Sequence, residues 1–232
     1  MGKTTIVAPA DDPLSLAVAA EARALGRSVA SFLPASAGLQ SPGKRPEPPR
    51  NSRPVDGTEA PAEQPLSWNP ASYVSARAAV LEASVRYGCV DEAVIVAVPE
   101  AAPGLGARPA EIERLIHGRF LSVVWLVREI LAAFSARDSG RGPGRLVMVL
   151  ADRGQPPRDP LGAAAFAALS AFAVSLARTS TDTPYDIWVL EDSCPQDDLA
   201  AQYVSRILQA PADRKGGRSL RFTGKGGIFS RI

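Results

Sequence analysis

The chain has 232 residues, 46% apolar and 22% charged, with a formal net charge of +2. This is ordinary globular usage and enough length for one α/β domain with a sizeable core, and the near-neutral balance excludes a strong electrostatic claim on nucleic acid. Cys89 and Cys194 have neither metal spacing nor a disulfide framework, and MGKTTIVAPADD lacks the apolar core of a signal peptide, so a cytoplasmic setting is expected.

TTIVAPA reads as a short buried first strand. Asp12 then suits an N-cap and Pro13 the first helical position, with Leu14, Ala17, Val18, Ala22 and Leu25 as the apolar stripe and Gly26 as the stop. RSVASFLP is a second strand. From about residue 35 to 65 the chain is rich in proline and charge and nearly empty of large apolar residues, which predicts a disordered insert. LSWNP is a possible short strand whose Asn69-Pro70 pair begins a helix, with Val74, Ala78, Leu81 and Val85 turned to the core. EAVIVAVP is a continuous apolar strand of the kind buried on both faces of a parallel sheet. AAPGLGARP is a loop, and one long helix follows over residues 109–134. RLVMVLA and YDIWVL are further strands, separated by the alanine-rich helix LGAAAFAALSAFAVSLA. DDLAAQYVSRILQA is a helix and SLRFTG a last strand. Alternating strands and helices predict a single Rossmann-like α/β fold, a doubly wound parallel sheet with helices on both faces.

The alanine-rich helix is apolar on nearly every face, so it is expected to be covered all round, by its own chain or by a second one. Its charge-free stretch, residues 161–177, is too short and too weakly hydrophobic for a membrane span. Local motifs add little. GKTT at residues 2–5 precedes a strand instead of following one, so it is no phosphate-binding loop. Gly104-Leu105-Gly106 is a lone GxG. GRGPGR, residues 140–145, reads as a flexible basic loop. His117 has no second histidine to share a metal, and no metal site is expected. Arg214, Lys215, Arg218 and Arg221 form a loose basic cluster without interleaved aromatics, better read as a solvated edge.

Several phrases together resemble the short-chain dehydrogenase/reductase family. NPASYVSARAAVLEASVRYGCVDEAVIVAVP resembles the family's helix after the third strand and its fourth strand. AEIERLIHGRFLSVVWLVREIL resembles its long fifth helix, GRLVMVLADRG its fifth strand, AFAVSLAR the end of its sixth helix, and GRSLRFTGKGG its last strand and terminal glycines. The resemblance covers nearly the whole chain outside the proline-rich insert. It implies a nicotinamide dinucleotide held by a glycine-rich turn, and a tyrosine, lysine, serine and asparagine around the substrate carbonyl.

In the register that the resemblance gives, those positions hold other residues. The three glycine positions fall on Pro9, Pro13 and Ser15, and the acidic position after the third strand falls near Leu66. The serine position falls on Ala151, the tyrosine and lysine positions on about Gly162 and Phe166, and the asparagine position on Arg119. Sliding the register does not recover the tyrosine–lysine pair, since residues 151–178 contain neither tyrosine nor lysine. Asp12, as N-cap, would take the N–H groups that a diphosphate uses, and Asp11 adds a second negative charge.

The expectation is therefore a non-catalytic relative with no catalytic residue and no cofactor. It would act as a structural or regulatory subunit, forming a homo-oligomer or a hetero-oligomer with an active homologue through the helices at 110–134 and 161–178. The alternatives are a divergent NAD(P)-dependent oxidoreductase and a small-molecule sensor. Arg119, Asp152 and Arg153 are the cleft candidates, where an arginine–aspartate pair could bind a small anion or brace the loop.

Overall fold

Apolar runs that alternate with helices can bury both faces only as the central layer of a sandwich, and the chain builds that layer. The computed structural model describes residues 2–35, 64–99, 104, 106–153, 159–211 and 217–224. Its elements in chain order are β1 (Thr4–Ala8), α1 (Pro13–Ala24), β2 (Ser28–Pro34), β3 (Leu66–Trp68), α2 (Tyr73–Tyr87), β4 (Glu92–Ala97) and α3 (Pro109–Ile116). A π-helical turn (His117–Leu121) follows, then α4 (Ser122–Ser135), β5 (Gly144–Ala151), α5 (Pro160–Thr179), β6 (Tyr185–Asp192), α6 (Asp197–Gln209) and β7 (Arg218–Phe222). The proline-rich stretch expected to be disordered lies, but for its ends, outside the described residues.

All seven strands form one parallel sheet in the order β3-β2-β1-β4-β5-β6-β7. The doubly wound Rossmann-like fold is thus observed. One face packs Ile6, Ile95, Leu146, Met148 and Ile187 against α2, α4 and α5. The other packs Val7, Val94, Val147, Val149 and Leu190 against α1 and α6. The order reverses between β1 and β4, so the helices after them diverge and leave a crevice above the strand ends. At the opposite end of the strands the buried carboxylates are paired: Glu92 takes Lys3 Nζ at 2.8 Å and also Arg27, and Asp91 takes Arg137 Nη2 at 2.7 Å.

Three helices depart from the expected pattern. The stripe of α2 points outward: Val74, Leu81 and Val85 are 73%, 54% and 85% exposed. Ala76, Ala79, Val80 and Ala83 face the core instead, because the closely packed sheet and α4 admit small side chains on this side. Moreover α2 starts at Tyr73, capped by the Ser72 hydroxyl, and not at the Asn69-Pro70 pair. The long helix is interrupted by the π-helical turn, which inserts extra backbone at His117–Leu121. Finally, the chain itself does not cover α5 all round. Of its twenty residues only Gly162, Leu169, Ala173 and Ala177 are buried.

Candidate functional site

The crevice at the β1/β4 reversal is a cleft of about 1140 Å³. Its floor is the C-terminal end of the sheet: Ala8 and Pro9 after β1, Pro34 on β2, Trp68 on β3, and residues 95–99 of β4 and its extension. One wall is α3 with the π-helical turn, bringing Glu113, Arg114, His117 and Arg119. The other is α5, bringing Gly162, Ala165, Phe166 and Leu169. The positions that the resemblance gave to the tyrosine, lysine and asparagine, namely Gly162, Phe166 and Arg119, therefore do line one cleft. The acidic position is corrected: Leu66 is buried at the start of β3, and the strand end at the cleft is Trp68 with Asn69.

The turn after β1 is fixed by its own side chain. Asp12 has extended dihedrals, and its Oδ1 accepts from the N–H of Leu14 at 2.9 Å and of Ser15 at 3.4 Å. Pro9 and Pro13 offer no N–H at all. Across the crevice, Arg153 follows β5 in the left-handed region, at φ 50°. Its Nη2 donates to both carboxylate oxygens of Asp12 at 3.1 Å, and its Nε donates to Asp197 Oδ1 at 3.1 Å. Arg153 thereby ties the first turns of α1 and α6 together.

Of the candidates, Arg119 and Arg153 line the cleft and Asp152 does not. Arg153 is paired with Asp12 and Asp197, not with its neighbour Asp152. Asp152 instead adjoins Asp192: its N–H donates to the Asp192 carbonyl at 3.0 Å, and its charge acts on the Asp192 carboxyl. Asp192 is buried, and burial pushes its carboxyl up to about 6 despite a hydrogen bond from the Cys194 N–H. Arg119 stands half-buried on the π-helical turn. Burial lowers its pKa from the usual arginine value, and Asp11 opposes the shift. His117, on the same turn, leans against Trp125 with ring centres 5.8 Å apart. Among the described residues no group of histidine, cysteine and carboxylate side chains could hold a metal ion.

No protein-family profile matches the chain, and no curated protein matches it by sequence. Solved structures do match its fold. A 3-ketoacyl-(acyl-carrier-protein) reductase from Brucella melitensis, complexed with NADH, superposes with a TM-score of 0.70 at 17% identity, over 98% of this chain and 99% of that one. An alcohol dehydrogenase from the archaeon Thermococcus sibiricus, complexed with 5-hydroxy-NADP, gives 0.65 at 15% identity, over 98% and 99%. A short-chain dehydrogenase/reductase from Serratia marcescens gives 0.63 at 19% identity, over 97% of each chain. The fold of this chain is that of the short-chain dehydrogenase/reductases.

These neighbours correct two expectations. They are dehydrogenases and reductases, which favours the divergent oxidoreductase over the non-catalytic structural subunit. Two of them are complexed with a nicotinamide dinucleotide, which overturns the expectation of no cofactor. The cleft fits such a molecule in place and in volume: it lies outside the strand ends at the switch point and exceeds the usual range for small-ligand pockets. It does not fit by the usual contact to phosphate, because the Asp12 carboxylate holds the N–H groups of the turn. The Leu14 and Ser15 N–H groups are therefore not open to a diphosphate.

Proposed function

We propose that the chain is a divergent NAD(P)-dependent oxidoreductase that works in the cleft at the β1/β4 switch point. The observation that carries this is the cleft itself, about 1140 Å³ over the strand ends, in a fold whose solved neighbours include dinucleotide complexes. The dinucleotide, when bound, supplies or accepts a hydride. The chain's own residues bind, orient and exchange the proton. Its family motifs are degenerate at the glycine turn and at the tetrad, so the proton is not moved by a tyrosine–lysine pair. His117 is the histidine of the cleft, and imidazole is the side-chain type most often used for such transfer. Phe166, Leu169, Leu126 and Val123 give the substrate region an apolar character, which excludes water around the reacting carbon.

The test is titration with NADH and with NADPH, followed by nucleotide fluorescence and by thermal stabilisation. Micromolar binding of either supports the reading. No binding of either up to millimolar concentration overturns it.

We infer further that a second copy of this chain covers the outer face of α5. Contrary to the expectation from the sequence, that helix is long and apolar enough, by length and composition, to cross a membrane, and only four of its residues are buried, three of them (Leu169, Ala173 and Ala177) in the sheet-facing core. Phe120 and Phe172, edge to face at 6.2 Å, continue the apolar surface toward the π-helical turn. Light scattering reads the outcome, and a strict monomer at micromolar concentration overturns it. With both described cysteines free, a reducing cytoplasmic compartment suits the chain.

A further inference from the structure

A dinucleotide brings a doubly charged diphosphate to a turn that already carries Asp11 and Asp12. This inference rests on the oxidoreductase reading and concerns how the cleft meets that charge. Two guanidinium groups flank the turn and line the cleft: Arg153 from the end of β5 and Arg119 from the π-helical turn. Arg119 stands on the π-helical wall, and Arg153 lies in the turn just after β5. Arg153 reaches Asp12 from one side, and the charge of Asp11 acts on Arg119 from the other.

We propose that Arg153 and Arg119 hold the diphosphate in place of the backbone N–H groups of the turn, with Arg153 exchanging Asp12 for phosphate oxygens. The geometry divides this exchange cleanly. Nε of Arg153 is engaged with Asp197, and only Nη2 is engaged with Asp12. The planar group can therefore pivot as a unit about the Nε contact to Asp197, which turns Nη2 from Asp12 to a ligand while the side chain stays moored on α6. Asp12 loses a cation and keeps its two N–H donors at the start of α1. A guanidinium presents a planar fork of donors that matches phosphate oxygens, and a partly desolvated one interacts with an anion more strongly than a solvated one. The two carboxylates of the turn act against the ligand, so the arrangement tunes affinity as well as supplying it.

The experiment is NADH titration of the whole chain and of R153Q, R119Q and D12N at low and moderate salt, with a thermal melt of each. Expected results are at least a tenfold weaker affinity for R153Q and for R119Q, with a shallower salt dependence than the parent. D12N is expected to bind several-fold more tightly and to melt near the parent, because asparagine caps a helix as well as aspartate does. Inorganic pyrophosphate is expected to displace NADH from the parent chain. If the parent binds NADH and both arginine variants bind it within twofold, the two-arginine seat is wrong while the oxidoreductase reading stands. If R153Q loses binding only together with its fold, R119Q and D12N decide: unchanged affinity in both overturns the seat. If the parent binds neither NADH nor NADPH, both readings fall, whatever D12N does.

Discussion

Arg145 and Asp186 are cross-strand partners on β5 and β6, and their side chains form a buried ion pair with Nη2 3.2 Å from Oδ2. Nη1 of the same arginine donates to the carbonyls of Ile207 at 2.7 Å, Leu208 at 3.1 Å and Ala210 at 2.7 Å, so it also closes the C-terminal end of α6. The indole of Trp188 donates to Asp186 Oδ2 at 2.7 Å. One arginine thus joins two strands to a helix at the end of the sheet opposite the cleft.

Removing that arginine strands a buried carboxylate and three helix carbonyls. Arg145→Ala is therefore expected to cost about 3–5 kcal/mol, the range for breaking a buried pair by deleting one partner. Urea unfolding of the parent and variant measures it. A loss under 1 kcal/mol would show that the pair contributes little beyond its own desolvation. The double variant with Asp186→Asn is expected to recover part of the loss, since no buried charge remains.

The packing of α2 yields the opposite kind of prediction. Val85→Lys is expected to change stability by no more than about 0.5 kcal/mol, because the side chain stands in solvent. Ala79→Leu is expected to cost about 1–3 kcal/mol, because that position is packed between the sheet and α4. Thermal melts of the two variants compare them directly. The reverse ranking would restore the valine and leucine stripe to the core.

That helix shows what the sequence carries and what it hides. Strand runs such as EAVIVA and RLVMVLA are legible because both faces are buried and nothing polar interrupts them. The cap at Asp12 and Pro13 is legible because capping is local. The α2 stripe misleads because hydrophobic periodicity does not distinguish a face that holds large residues from one that requires small ones. Arg119 and Arg153 were reachable through the register of a resembling family. The partner of Arg153 was not, because Asp12 lies 141 residues away and the left-handed turn at Arg153 directs the contact. The π-helical turn likewise leaves no mark in composition.

Asp192 predicts a pH dependence. Its folded pKa of about 6 lies above the unfolded value of 3.8, chiefly through burial, with Asp152 and Asp197 raising it and Arg153 lowering it. The folded chain therefore holds this proton more tightly than the unfolded one. The favourable contribution is complete below about pH 4 and is lost as pH rises from there to about 6, leaving a cost of roughly 3 kcal/mol above that. Asp192→Asn removes the titration and retains an acceptor for the Cys194 N–H. It is expected to leave stability nearly unchanged at pH 4 and to raise it by about 2–3 kcal/mol at pH 7.5. Urea unfolding at the two pH values reads the difference, and an equal effect at both would refute the assignment.

Gly144 opens β5 directly beneath the ring of Phe134 at the end of α4. A methyl group there would lie 2.3 Å from the Phe134 Cγ, and both atoms of the next ring positions would be 2.7 Å away. The ring is itself fully buried, so it has no solvent space into which to swing. Gly144→Ala must then shift either the strand or α4, and α4 is the helix that carries the π-helical turn and its cleft residues. The expected cost is about 1–3 kcal/mol, the range for forcing extra volume into a packed core. Phe134→Leu alone is also expected to destabilise, by opening space at the same point. Combined, the two are expected to cost less than their sum by at least about 1 kcal/mol, because each relieves the strain or void left by the other. A double-mutant cycle by urea unfolding measures that coupling. Simple additivity would mean that the strand yields locally and the ring above Gly144 does not set the spacing of α4 from the sheet.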